Sequence, residues 1–223
     1  MEHGGNGAQR TMKIAFLGDS LTAGWPGSSY FALLRTSLAN HELLNYGCAG
    51  DTIVDLEARM SHAGMPAVGL AFVWIGVNDA FGDEHRFRDG EHLLRGDDHR
   101  LLGLRPVFER LIDFVCEHAS NCVCVPPLLP DNGAPVGGPD YLDFDWHTLE
   151  LRVRAIAMLI GEVVAGHSAV RLLDMHEAFA IARAAAPGAA FTVDGVHLSG
   201  HGARIVAGAF ADALSAAFAA GGD

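Results

Sequence analysis

A three-layer α/β/α sandwich built on a parallel sheet of about five strands is the fold this sequence predicts, and three observations predict it. Short apolar runs with almost no charge alternate with segments whose apolar residues recur at helical spacing. Three of the runs end in short glycine-bearing turns. At 223 residues, half of them hydrophobic, the chain is long enough for one sizeable domain and too short for two of ordinary size. Strand and helix in alternation imply right-handed crossovers that cover a parallel sheet on both faces.

Taken in order, residues 1–11 are glycine-rich and polar, and read as a disordered leader or expression remnant. The run Met12 to Leu17 suits a strand buried on both faces and leads into Gly18-Asp19-Ser20-Leu21-Thr22-Ala23-Gly24. Tyr30 to Ala39 has helical spacing, and Leu43 to Tyr46 reads as the second strand, followed by the turn Gly47-Cys48-Ala49-Gly50-Asp51. A helix from about Thr52 to His62 leads to the strand Gly69 to Ile75, which ends at Gly76-Val77-Asn78-Asp79. Leu104, Phe108, Leu111 and Val115 mark an amphipathic helix, and Val123 to Val125 a fourth strand. Asp145 is placed to cap a helix carrying Leu149, Val153, Ile156, Ile160 and Val163; Val170 to Leu173 is a fifth strand. A helix from His176 to Ala185 and a terminal helix with Ala203, Val206, Phe210 and Leu214 complete one domain over 12–223. The arrangement is flavodoxin-like. Two stretches stand apart as loops over the strand ends, 81–100 with His85, His92 and His99, and the proline- and glycine-rich 126–145. Glycines interrupt the first, so a solvated lid is favoured over a metal site.

Composition narrows the partners. A net charge of −12, from 15 basic and 27 acidic residues, disfavours binding to a nucleic-acid backbone. No apolar run approaches the roughly 18 residues of a membrane span, which points to a cytoplasmic protein, although a secreted mature form would read the same way. Cys48, Cys116, Cys122 and Cys124 lack zinc-ligand spacing and read as buried reduced thiols.

Chemistry enters where strands end. In open α/β sheets, ligands collect at the carboxyl ends of strands, and Ser20 follows the first of them. Ser20 alone would be read as a helix N-cap. Far downstream lies Val193-Asp194-Gly195-Val196-His197-Leu198-Ser199. An acid three residues before a histidine, in a turn tightened by glycine, can set a carboxylate beside an imidazole and select its tautomer. The alternative is a capped turn with a surface histidine.

Four blocks in order, Gly18-Asp19-Ser20-Leu21, Asn45 to Thr52, Gly76-Val77-Asn78-Asp79 and Asp194-Gly195-Val196-His197-Leu198, resemble the SGNH, or GDSL-type, serine hydrolase family. The resemblance implies Ser20 as nucleophile, His197 as general base and Asp194 as the residue that orients it. It also implies an oxyanion hole from the backbone N–H groups of Ser20 and Gly50 and the side-chain amide of Asn78. Such donors suit the reaction, because a serine hydroxyl needs a base and the tetrahedral intermediate needs fixed hydrogen-bond donors. The activity implied is cleavage of a small-molecule carboxylic ester through an acyl-enzyme, with no cofactor and no metal. Asp19 reads as a brace for the serine turn and, with Trp25, Phe81 and Leu198, is a candidate for the pocket; Asp79 reads as structural. An acyltransferase would use the same acyl-enzyme. A non-catalytic flavodoxin-like module binding flavin or nucleotide is disfavoured, because the first turn lacks a glycine-rich phosphate cradle. No motif in the sequence specifies acyl chain, leaving group or oligomeric state.

Overall fold

The computed structural model describes residues 11–81, 99–129 and 146–220. Five parallel strands, β1 (Lys13–Gly18), β2 (Glu42–Gly47), β3 (Leu70–Trp74), β4 (Cys122–Val125) and β5 (Val170–Leu172), form one sheet in the order β2-β1-β3-β4-β5. Because the chain goes from β1 outward to β2 and then back across β1 to β3, the connections diverge at the β1 and β3 carboxyl ends. Such a point of divergence is the usual ligand position in sheets of this kind.

Alternate residues of the three inner strands feed two cores. Ala15, Leu17, Ala71, Val73, Cys122 and Cys124 face one side, against α3 (Ile53–Ala63), α5 (His99–His118) and α6 (Trp146–Ala165). Ile14, Phe16, Leu70, Phe72, Trp74, Val123 and Val125 face the other, against α2 (Tyr30–Ser37), α7 (Met175–Ala185) and α8 (Gly200–Ala220). Burial on both faces explains why β1, β3 and β4 read as continuous apolar runs. Edge strand β2 is only half buried, and its sequence Glu-Leu-Leu-Asn-Tyr-Gly is correspondingly mixed.

The remaining helices are short and lie at the strand ends: α1 (Ser20–Ala23) follows β1, and α4 (Val77–Phe81) follows β3. Four and five residues are too few to show a period, and these segments were expected as turns. Asp19, rather than Ser20, is the N-cap of α1, its carboxylate accepting from the Leu21 N–H. Ser20 is thereby the first helical residue, raised at the end of the strand.

Of the four cysteines, Cys122 and Cys124 are buried as expected, whereas Cys116 is half-buried and Cys48 is exposed on the turn after β2. A turn at an edge strand has no second layer to cover it, so the expectation of a packed Cys48 fails there. All but the last residue of the expected leader 1–11, most of the 81–100 loop, the greater part of 126–145 and the proposed cap Asp145 lie outside the described residues. No helix among the described residues is long and apolar enough to cross a membrane.

Candidate active site

Ser20 and His197, 177 positions apart in sequence, meet at the carboxyl end of β1, with Ser20 Oγ 3.0 Å from His197 Nε2. The other ring nitrogen, Nδ1, lies 2.6 Å from Asp194 Oδ2. A carboxylate is acceptor-only, so it takes the Nδ1–H and leaves the Nε2 lone pair facing the hydroxyl. Burial alone would raise the Asp194 carboxyl. Hydrogen bonds from the His197 ring and from the His197 and Val196 N–H groups outweigh it, and hold Asp194 below the ordinary carboxylate range.

The segment that carries this pair is pinned at both ends. Val196 and Leu198 are core residues on either side of His197. Between Asp194 and Val196 the chain turns through Gly195 at φ +95°, where a side chain would also run into the Trp146 ring. Val193 N–H donates to the His197 carbonyl at 2.8 Å, and Ser28 N–H to the Leu198 carbonyl at 2.7 Å. Ser199 then accepts from the His201 and Gly202 N–H groups and starts α8. The imidazole is positioned by packing and by a helix start, not by a free loop.

The turn after β2 and the helix α4 carry the other two predicted donors, Gly50 and Asn78. Cys48 N–H donates to the Gly18 carbonyl at 3.0 Å, which ties the turn after β2 to the serine turn. Gly50 has φ +86°, and a Cβ there would meet nothing within 4 Å, so glycine is required for its backbone angle while the space before it stays open. Among the described residues the Gly50 N–H has no hydrogen-bond partner. Asn78, on α4, donates from Nδ2 to the Asp51 carbonyl at 2.9 Å, which ties its amide to the residue that follows Gly50.

Two further acids lie beneath the site. Asp19 is 1% exposed, and burial pushes its carboxyl up to about 7 despite the Leu21 N–H. Asp79 accepts from the Ile53 N–H at 3.0 Å, joining α4 to the start of α3, and burial pushes it up to about 7 as well. Asp19 thus holds the serine turn through Leu21, and Asp79 links two helices. From the ordinary value of 3.8 up to about 7, the folded chain keeps protons on these groups that the unfolded chain has lost. Their stabilising contribution is therefore full at low pH and is lost as pH rises through about 7; that of Asp194 runs the other way, lost as pH falls through its lowered value. The urea midpoint is expected to be higher near pH 5 than near pH 8, and Asp19→Asn, which keeps the acceptor for Leu21, to flatten that difference.

The pocket candidates divide. Trp25 is 73% exposed, with its backbone N–H donating to the Ser20 carbonyl at 3.3 Å, so its side chain lies outside the core. Phe81 ends α4 and packs against both cores. Leu198 is 1% exposed, a core residue, so its side chain does not form a pocket wall; the period-two alternation around His197 turns it inward.

A model of the GDSL-like lipase/acylhydrolase family matches residues 16–205. The chain belongs to this family. That span runs from β1 through the Asp194–His197 turn into α8, and with it comes the class of enzyme, a carboxylic ester hydrolase. Solved structures share the fold. A lipolytic protein of the G-D-S-L family from Veillonella parvula is 17% identical with a TM-score of 0.66, over 91% of this chain and 98% of that one. LAE5, an alpha/beta hydrolase from the metagenome of Lake Arreo, is 21% identical with a TM-score of 0.66, over 92% and 95%. A catalytic mutant of Axe2, an acetylxylan esterase from Geobacillus stearothermophilus, is 19% identical with a TM-score of 0.65, over 90% and 93%. Among curated protein sequences none matches.

One residue at the site of this family member escaped the sequence reading. Arg59 of α3 donates from Nε and Nη2 to Asp51 Oδ2, at 3.0 and 2.6 Å. A signal existed. The capping box of Thr52 and Asp55 sets the phase of α3, and a position seven residues after the cap returns to the face that looks back at the preceding turn.

Proposed function

We propose that this chain hydrolyses small carboxylic esters through an acyl-enzyme on Ser20. His197 Nε2 takes the Ser20 proton as Oγ attacks the ester carbonyl carbon, and the carbonyl oxygen becomes an oxyanion. The N–H groups of Ser20 and Gly50 and one N–H of Asn78 receive that charge. His197 returns the proton to the departing alcohol. Water then enters, gives a proton to His197 as it attacks the acyl carbon, and the acid leaves as Oγ regains its proton. Asp194 holds the ring in the productive tautomer throughout and stabilises the transient imidazolium. These side chains and water complete the cycle.

The observation that carries the reading is the Ser20–His197–Asp194 alignment, at 3.0 and 2.6 Å, in a segment anchored in the core on both sides of the histidine. Trp25 offers an exposed apolar face beside the serine for the acyl or leaving group. Several structural neighbours are named acetylxylan esterases, which makes acetylated saccharides a sensible first panel. A fluorophosphonate tests the nucleophile directly: Oγ displaces fluoride from phosphorus, and mass analysis is expected to find the adduct on the peptide holding Ser20 and nowhere else. Labelling at another residue, or none, would overturn the assignment. Product analysis with a competing alcohol separates hydrolysis from acyl transfer.

A further inference from the structure

We infer that Arg59 is a positioning residue for the oxyanion donors, its guanidinium setting where the Gly50 N–H and the Asn78 amide stand. This rests on the esterase reading above and adds a residue to it that touches no substrate. Besides its two bonds to Asp51 Oδ2, Arg59 donates from Nη2 to the Tyr46 carbonyl at 2.8 Å. Tyr46 belongs to β2, where the turn begins, and Asp51 directly follows Gly50, where the turn ends. One planar group thus clasps the turn across its base. Both partners are partly buried, with the Asp51 side chain 10% and the Arg59 side chain 32% exposed, so water competes weakly for the carboxylate.

Asp51 passes the constraint on. Its carbonyl accepts one of the two Asn78 Nδ2 hydrogens, and the amide group is planar, so the direction of the second hydrogen follows from the position of Asp51. A movement of Asp51 therefore displaces the Gly50 peptide and turns the Asn78 donor together. Lysine cannot reproduce this clasp. Its ammonium is a compact point charge without the rigid fork that engages a carboxylate and a carbonyl at set angles. A pair that only stabilised the fold would have no reason to act through Asn78.

The test uses the full chain with Arg59→Ala, Arg59→Lys, Asn78→Ala and the Arg59→Ala/Asn78→Ala double variant. It reads kcat and KM on a small activated acetate ester, and amide hydrogen exchange across residues 47–52. Arg59→Ala is expected to lower kcat about 10- to 100-fold, the cost of donors misplaced by about 1 Å, with KM within about threefold. Arg59→Lys is expected to recover part of that loss. Asn78→Ala is expected to cost about 10²- to 10³-fold, and the double variant to fall well short of the product of the two single losses, because the shared donor is already gone. Exchange in 47–52 should quicken in both Arg59 variants while β1 and β3 hold. A kcat for Arg59→Ala within twofold of the parent, losses that multiply, or unchanged exchange in 47–52 would each overturn the inference. Exchange needs no turnover. A parent protein inert to esters and to the fluorophosphonate sinks the esterase reading, and the exchange result still decides whether Arg59 clasps the turn.

Discussion

Ser20→Ala is expected to lower kcat for a small activated ester on the order of 10⁴-fold or more, because the acyl-enzyme can no longer form. The fold should survive. Ser20 is the first residue of α1, alanine is the best helix former, and among the described residues the hydroxyl's one side-chain partner is His197. The N-cap carboxylate of Asp19 and the core contacts of Leu21 are untouched, so the melting temperature should move by no more than a few degrees, as for substitutions that break no buried network. Initial rates and a thermal melt on the same preparation make the comparison. Some residual turnover is compatible with the proposal, since donors aimed at the oxyanion still favour attack by water. A near-parental rate is not compatible, and would place the nucleophile elsewhere.

Asp194→Asn is expected to cost about 10⁴-fold in kcat, the scale found where the orienting acid of a serine triad is made neutral. The size of the effect comes from a proton in the wrong place. Asp194 Oδ1 accepts from the Val196 and His197 N–H groups at 3.0 and 2.8 Å, and an amide oxygen can keep both bonds. The nitrogen of the new amide then faces His197 Nδ1 as a donor, forces the lone pair onto that nitrogen and leaves Nε2–H pointing at Ser20. The ring can no longer accept the Ser20 proton. Because the turn is still braced, structure and ester binding should persist while kcat falls, and an unchanged kcat with raised KM would contradict the orienting role. Raising the pH should not restore the rate, since the defect is the tautomer and not the charge of the ring.

Ile14 to Leu17, Leu70 to Trp74 and the Cys122–Val125 run were recognisable as buried strands because both sheet faces are covered, so no polar residue interrupts them. The helices with long apolar stripes were recognisable for the same reason at a different period. Helices α1 and α4 were not, being too short for any stripe, although they carry Ser20 and Asn78. Asp19 in place of Ser20 as the N-cap is a difference of one residue that decides whether the hydroxyl caps a helix or faces an imidazole. Leu198 and Cys48 were misjudged in opposite directions. The first is turned into the core by alternation about His197, and the second is left bare because β2 is an edge. Arg59 was passed over because a single arginine on an amphipathic helix usually faces water.

Residue order alone was enough for the alternation of strands and helices, the placement of glycines at strand ends, and the chemical identities of a serine in one short block and of an acid and a histidine in another. These are short-range properties, set by side-chain size, polarity and backbone freedom within a few positions. Folding contributed the meeting of Ser20 with His197 across 177 positions, the clasp of Arg59 on Asp51 and the burial that lifts Asp19 and Asp79. Such facts depend on the handedness of successive crossovers and on which strand end adjoins which, and no local pattern records a distance between residues that the chain brings together only when its sheet has formed.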